Sequence, residues 1–156
     1  MQVREEPLPV GSEDEVRLAL PAKPELLGLA RVTAAGLASR LGFTYDQVED
    51  LRLAIDEVCF GVTGNKGREG SLQIRFLLTR EALTVLGEGD FALPDPLRLS
   101  ELSEVILGTL VDEHSVGEVS GRPRFKLVKR RQTDGKRARN EAGTGHGAGV
   151  PSGEGR

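Results

Sequence analysis

The sequence predicts an α/β protein, a two-layer sandwich in which a mixed or antiparallel sheet carries helices on one face. Three observations lead to this fold class. Residues 24–41 and 44–62 repeat apolar side chains three and four positions apart, which is the spacing of amphipathic helices. Residues 71–80 alternate apolar and polar side chains, and a second extended run, 82–86, follows almost at once, as in a β-hairpin. Long helices beside a hairpin indicate separate helical and sheet layers.

Composition is that of one soluble domain with an aliphatic core. The chain has 156 residues, of which 38% are hydrophobic and 4% aromatic, and a formal net charge of −3. No apolar run approaches the roughly 20 residues that span a bilayer, and the first residues lack the apolar core of a signal peptide. Cys59 is the single cysteine, so an internal disulfide is excluded and no metal site is predicted. We therefore expect a cytoplasmic protein.

Three segments are predicted along the chain. Residues 1–14 are polar, contain two prolines and are expected to form a flexible arm. Residues 15–130 hold all the periodic stretches and are the predicted domain, beginning with a strand at 15–22. Residues 131–156 are charged and then rich in glycine, so they are expected to stay disordered because they offer too little apolar surface to bury.

The two predicted helices have clear start and stop signals. Pro24 suits the first turn of the first helix, and Gly42 suits the position just beyond its end. Thr44 and Gln47 form the capping-box pattern that begins the second helix. The second helix carries an apolar stripe, and the first a similar one, so the two are expected to pack as a pair. The stripe of the second helix consists of Val48, Leu51, Ile55, Val58 and Val62.

The opposite face of the second helix holds the candidate catalytic residue. Since each residue advances about 100° around a helix, Asp50, Leu53, Glu57 and Gly61 share that face. A carboxylate such as Glu57 is able to act as a general base toward water or a serine hydroxyl. The alternative is a plain solvated acidic face, and spacing alone favours it.

The remaining elements are predicted from turn signals and alternation. Ser100 is the expected N-cap of a third helix, whose apolar residues are Leu102, Val105, Ile106 and Leu110. The other predicted segments are a turn-rich basic loop at 61–70, a loop at 87–99, an irregular stretch at 112–121 with a short strand at 116–119, and a final strand at 122–130.

Residues 50–59, DLRLAIDEVC, resemble the first ATP-site motif of the histidine-kinase/Hsp90-type ATPase superfamily. They are most similar to the bacterial anti-sigma branch, whose members are serine-protein kinases that hold alternative sigma factors. The resemblance covers residues 15–130 and implies the histidine-kinase-like ATPase fold. It also implies three partners, which are an alternative sigma factor, an anti-anti-sigma antagonist and a second copy of the chain. Weaker matches lie at 24–31, 71–86, 110–113 and 125–129.

The resemblance also implies the site residues. Glu57 corresponds to the family's general base, but the family's magnesium-binding Asn, four positions later, is replaced by Gly61. The second family motif is Asp-x-Gly-x-Gly, whose Asp reads adenine, and its Asp is absent here in either register. If Gly87 and Gly89 are the two glycines, the Asp position is Val85, and if Gly89 is the first glycine, the Asp position is Gly87. Asp90 lies out of register with that motif. ATP and Mg²⁺ are therefore doubtful cofactors, because glycine offers the metal no side-chain oxygen.

These observations predict an anti-sigma factor that binds its partner and has weak or lost ATP binding. Its first helix, with Arg31 and Arg40 off the apolar stripe, is the expected partner surface. One alternative is an active serine-protein kinase that uses Glu57 as base. Another is a nucleic-acid-associated protein acting through the basic residues of 129–139.

Four further residues have simpler interpretations. Cys59 adjoins the buried stripe and is expected to be a core residue. His114 follows the third helix, where a cation favours the negative helix end. Lys66 and Arg68 are expected to belong to a plain surface loop, since no strand precedes 61–70 as a phosphate-binding loop requires.

Overall fold

The computed structural model describes residues 14–93 and 99–132. The predicted arm and tail therefore lie outside the described residues, except for residues 14, 131 and 132. Within the described part, none of the helices has the length and apolar character needed to cross a membrane.

The described residues form five strands and three helices, as the sequence predicted. All strand pairs are antiparallel, and the sheet order is β1-β2-β3-β5-β4. The helices share one buried core with one face of the sheet, which confirms the two-layer fold. The elements are β1 Asp14–Pro21, α1 Pro24–Arg40, α2 Tyr45–Thr63, β2 Gly70–Leu78, β3 Ala82–Phe91, α3 Glu101–Leu110, β4 Glu113–Val119 and β5 Arg122–Arg130.

Helix α2 begins and packs as predicted. The Thr44 side chain accepts a hydrogen bond from the Gln47 backbone N–H at 3.2 Å, and the Gln47 side chain accepts one from the Thr44 N–H at 3.3 Å. The whole predicted apolar stripe of α2 is buried. Helix α1 packs against α2, and its fully buried residues are small, namely Ala30, Ala34 and Ala38, which belong to the common core.

Strand β3 is longer than predicted. It continues to Phe91, which pairs with Gly70 of β2, so the interpretation of 87–89 as a strand-ending turn is wrong. Gly87 pairs with Ile74 on one side and with Phe125 of β5 on the other. Glycine usually interrupts a strand, but here neighbouring aromatic rings occupy the space above these glycines.

Helix α3 begins at the predicted cap, where the Ser100 side chain accepts a hydrogen bond from the Ser103 N–H. Of the apolar residues expected on this helix, Leu102 is 68% exposed and Val105 is 65% exposed. Leu107, which was not among them, is the fully buried residue of α3. The buried face is set by packing against α2, and α3 is apolar on several sides, so periodicity alone could not select it.

Strand β4 is also longer than predicted, because it begins at Glu113 rather than within an irregular stretch. Asp112 already donates its N–H to the carbonyl of Val128 at 2.9 Å. Ser120 and Gly121 link β4 to β5 with φ values of 52° and 77°. Such positive φ values are typical of the tight turns that join antiparallel strands.

Candidate functional site

Helix α3 lies along the face of α2 that was predicted to be free of the core. At one end Leu99 sits beside Gly61, and in the middle Ser103 bonds Glu57. The face is therefore partly covered, although Leu53 on it remains 55% exposed.

Glu57 is engaged by a serine of its own chain. The Ser103 hydroxyl donates a hydrogen bond to Glu57 Oε1 at 2.6 Å, the short distance typical of a hydroxyl on a carboxylate. The Ser100 hydroxyl donates in turn to Ser103 Oγ at 3.0 Å, which leaves the Ser103 proton directed at Glu57. The Glu57 carboxylate oxygen that accepts this hydrogen bond is therefore occupied by a hydroxyl of the same chain.

Gly61, the position of the family's magnesium-binding Asn, is also occupied from within the chain. A Cβ atom added at Gly61 would lie 2.8 Å from Cδ2 of Leu99, closer than carbon atoms pack. An asparagine at this position would have to displace that leucine. Among the described residues no group of three or more His, Cys, Asp or Glu side chains is arranged to hold a metal ion. Gly61 itself has no side-chain oxygen, so this position does not fit Mg²⁺, which prefers oxygen ligands.

Gly87 and Gly89 are packing positions in β3. A Cβ atom at Gly87 would overlap the ring of Phe125, and one at Gly89 would overlap the ring of Phe91. Val85, where one register of the family motif would place the adenine-reading Asp, is fully buried. The helix-facing side of β3 therefore offers apolar side chains and no carboxylate where the family reads adenine.

Asp90 is not brought together with Glu57. Residues alternate between the two faces of a strand, so Asp90 lies on the sheet face opposite the helices, whereas Gly89 faces them. Its side chain is 62% exposed, and Oδ1 lies 3.9 Å from Nη2 of Arg122. Of the predicted nucleotide-site residues, Glu57 and Gly61 share the α2–α3 contact, Gly87 and Gly89 lie on the helix side of β3, and Asp90 lies on the other face.

Lys129 is a residue of this site that sequence reasoning missed. It is only 9% exposed, and its ammonium donates hydrogen bonds to the carbonyl of Leu110 at 2.7 Å and to Asp50 Oδ2 at 3.3 Å. It thereby fixes the end of α3 against α2. Strand alternation could have revealed it, since Phe125, Leu127 and Lys129 point to the same face.

The remaining predicted residues have structural roles. Cys59 is 2% exposed, which confirms it as a core residue, and burial raises the pKa of its thiol to about 12, with a further contribution from Asp56. His114 Nε2 lies 2.8 Å from Glu104 Oε2 and connects β4 to α3 instead of capping the helix end. Arg68 donates to the carbonyls of Val62 and Leu93 and therefore anchors its loop.

Helix α1, the predicted partner surface, has an exposed stripe. Leu29 is 49% exposed and Val32 is 62% exposed, and Gly36 and Arg40 continue the same side at spacings of four. Arg31 lies beside this stripe, and its Nη1 donates to Asp56 Oδ2 of α2 at 2.8 Å.

The antiparallel five-stranded sheet, with the three described helices on one face and Glu57 on α2, is the fold expected of the histidine-kinase/Hsp90-like ATPase superfamily. No protein-family model matches the chain. It is 31% identical over 131 residues to the serine-protein kinase RsbW of Bacillus pumilus (strain SAFR-032), covering 69% of this chain and 81% of that protein. The chain belongs to the RsbW serine-protein kinase family.

Two further relatives carry the same name. The serine-protein kinase RsbW of Bacillus subtilis (strain 168) is 39% identical over 82 residues, which cover 49% of this chain and 51% of that protein. The RsbW of Halalkalibacterium halodurans (strain C-125) is 29% identical over 131 residues, which cover 72% of this chain and 81% of that protein. These relatives confirm the resemblance that the α2 motif indicated.

Proposed function

We propose that this protein is a cytoplasmic anti-sigma factor that binds and restrains an alternative sigma factor, with weak or lost ATP binding. The observation that supports weak or lost ATP binding is the contact between α3 and α2. Leu99 fills the space beside Gly61, and Ser103 occupies the Glu57 carboxylate. Family membership supports the regulatory role, and residues 15–130 are the proposed binding domain.

The cost of admitting a nucleotide supports the loss of ATP binding. A nucleotide that reached Glu57 and Gly61 would have to break the Ser103–Glu57 hydrogen bond and move the Leu99 side chain. Loss of a hydrogen bond to a charged group costs about 1.5–3 kcal/mol, which weakens an affinity roughly tenfold to a hundredfold. The replaced metal ligand and the missing adenine-reading carboxylate add to this penalty.

Isothermal titration calorimetry with ATP and Mg²⁺ is expected to show no binding in the micromolar range. The Bacillus subtilis RsbW, titrated in the same buffer, is the positive control. A micromolar dissociation constant for this chain would show that α3 moves aside easily and would remove the argument for lost ATP binding.

The exposed stripe of α1 is the proposed contact with the sigma factor. It combines the apolar side chains of Leu29 and Val32 with the cation of Arg40, all at the surface. An apolar centre with a charged rim is the usual composition of a protein–protein interface. The antagonist protein and a second copy of the chain are further proposed partners.

Val32→Asp is expected to weaken binding of the cognate sigma factor at least about tenfold, because the variant places a charge in the apolar centre of the interface. Val32 is 62% exposed, so the thermal midpoint should hardly change. Titration of the purified sigma factor measures the effect. Tyr45→Asp, at a 77% exposed position on α2, is the matched control and should bind normally. Equal affinities for both variants would refute α1 as the contact.

A second candidate function is that of an active serine-protein kinase. The observation that favours it is the Ser103–Glu57 hydrogen bond, in which the Glu57 carboxylate accepts from a serine hydroxyl, the group that a general base would have to approach in a serine kinase. In that case labelled phosphate should pass from the γ-position of ATP to a serine of the antagonist, and Glu57→Ala should abolish the transfer. Under the main proposal neither the parent chain nor the Glu57→Ala variant transfers phosphate to the antagonist.

Residues 129–132, the described part of the basic stretch 129–139, offer no observation in favour of nucleic-acid binding. Lys129 is buried against α2, and Arg130 pairs with Glu113 at 2.8 Å, so neither begins a free basic tail. The other residues of that stretch, apart from 131 and 132, lie outside the described part of the chain.

A further inference from the structure

The sheet face opposite the helices, here called the outer face, contains a groove of about 440 Å³. None of the three described helices packs on this face. The volume falls in the range of ligand-binding clefts. The groove is lined mainly by side chains of the outer face, among them Arg17, Arg75, Leu86, Ser115, Arg124 and Lys126.

The strand register places five of these residues in one line across the sheet. Arg17 pairs with Arg75, Arg75 with Leu86, Leu86 with Lys126, and Lys126 with Ser115. We call this line the cation row. It has three cations and no acidic residue, and neighbouring members are about 4.8 Å apart because that is the strand spacing.

The pairing of Arg17 with Arg75 is unfavourable for the fold alone. Like charges directly opposite each other on antiparallel strands are destabilising. One carboxylate oxygen serves both guanidinium groups, since Glu15 Oε1 lies 2.6 Å from Arg75 Nε and 2.9 Å from Arg17 Nε. The hydrogen bond from Arg75 makes the largest contribution to lowering the pKa of the Glu15 carboxyl group, and the hydrogen bond from Arg17 lowers this pKa further. The trio keeps one uncompensated positive charge.

Near the other end of the cation row, Lys126 and the neighbouring Arg124 have hydrogen-bond donors without a partner among the described residues. Lys126 is exposed and has no ion pair or hydrogen bond within 14–93 and 99–132. Next to it, Arg124 Nη2 lies 3.3 Å from Glu88, which Arg122 shares, while the buried Nε of Arg124 has no partner among the described residues. The residues that line the groove include four cationic side chains and only two carboxylates, those of Glu88 and Glu118.

We propose that the cation row binds an extended acidic segment of a partner protein. Carboxylates of the segment pair with Arg75 and Lys126, and an apolar side chain between them rests on Leu86. Arg75 and Lys126 stand two strand spacings apart, roughly 10 Å, which two acidic side chains on either side of an apolar one are able to span. Ser115 and Gly117 leave room for the segment, since a Cβ at Gly117 would meet nothing within 4 Å. This surface is separate from α1 and from Glu57.

Fluorescence anisotropy on the full chain tests the proposal with a fluorescein-labelled peptide, Gly-Glu-Glu-Leu-Glu-Glu-Gly. Saturable binding is expected, and it should weaken as salt rises because exposed charges are screened. Lys126→Glu should weaken binding at least about tenfold, since close interfacial charge pairs contribute strongly. Gly117→Leu, which fills the groove without changing charge, should also weaken it. Lys66→Glu, in the turn after α2, is the charge-matched control and should leave binding unchanged.

Three results would overturn the proposal. The first is equal affinity of Lys126→Glu and Lys66→Glu for the peptide. The second is equal binding of a peptide in which glutamine replaces every glutamate. The third comes from sedimentation velocity: a dimer that Lys126→Glu converts to a monomer would assign the outer face to a second copy of this chain. Thermal midpoints of all variants should match that of the parent chain, because Lys126 is exposed and Gly117 has open space.

Discussion

Phe125→Ala is expected to lower the free energy of unfolding by about 3–5 kcal/mol. Phe125 is 3% exposed, and its ring occupies the space above Gly87 that a side chain would otherwise fill. Removal of the ring opens a cavity between β3 and the helices, and no side chain at Gly87 is present to collapse into it. Urea denaturation followed by circular dichroism measures the loss.

Phe60→Ala is the matched control for this prediction. Phe60 lies on α2 but is 56% exposed, so the same truncation should change the free energy of unfolding by less than about 0.5 kcal/mol. Similar losses at the two positions would mean that Phe125 does not fill the space over Gly87. Gly87 would then have to be explained by something other than packing against Phe125.

The central helix could be predicted from sequence because its signals are local. Thr44 and Gln47 are three residues apart and form the cap on their own, and the stripe from Val48 to Val62 depends only on the helical period. The turn of the β2–β3 hairpin could also be predicted, because its residues are close together in the sequence. The family motif in 50–59 then identified the superfamily, which the relatives confirm.

The far end of β3 and the orientation of α3 could not be predicted, because both depend on distant residues. Gly87 stays in a strand since Phe125, on β5, covers it. Leu107 is buried and Leu102 is not, since α2 contacts only one side of a helix that is apolar on several sides. The local sequence pattern shows neither that Phe125 covers Gly87 nor that α2 packs against one side of α3.

In the candidate site, too, the features that depend on local sequence were predictable, and those that depend on distant residues were not. The position of Glu57 on the far side of the α2 stripe followed from the helical period, and Gly61 was already a departure from the family pattern. That Ser103 would bond Glu57 depends on a contact between residues 46 positions apart. The sequence therefore predicted a weakened nucleotide site, and the contact of α3 with Glu57 is the physical argument that supports the proposal of weak or lost ATP binding.

Gln47→Ala is expected to lower the free energy of unfolding by about 2–3 kcal/mol, more than a lost helix cap alone. Gln47 is 5% exposed, and its Nε2 donates to the carbonyl of Arg130 at 2.7 Å. Its Oε1 accepts from the N–H groups of Thr44 and Gln132, both at 3.3 Å. Truncation leaves these backbone groups without their partner.

Thr44→Ala is the comparison that separates the two roles of Gln47. It removes the cap and leaves the bond from Gln47 to Arg130 in place, so its cost should be about 1 kcal/mol. Parallel urea titrations measure both variants. If Gln47→Ala costs no more than Thr44→Ala, the link from α2 to β5 contributes nothing. A larger cost would mean that this link positions α2, and with it Glu57 and Gly61, against the strand whose Lys129 holds α3 in place.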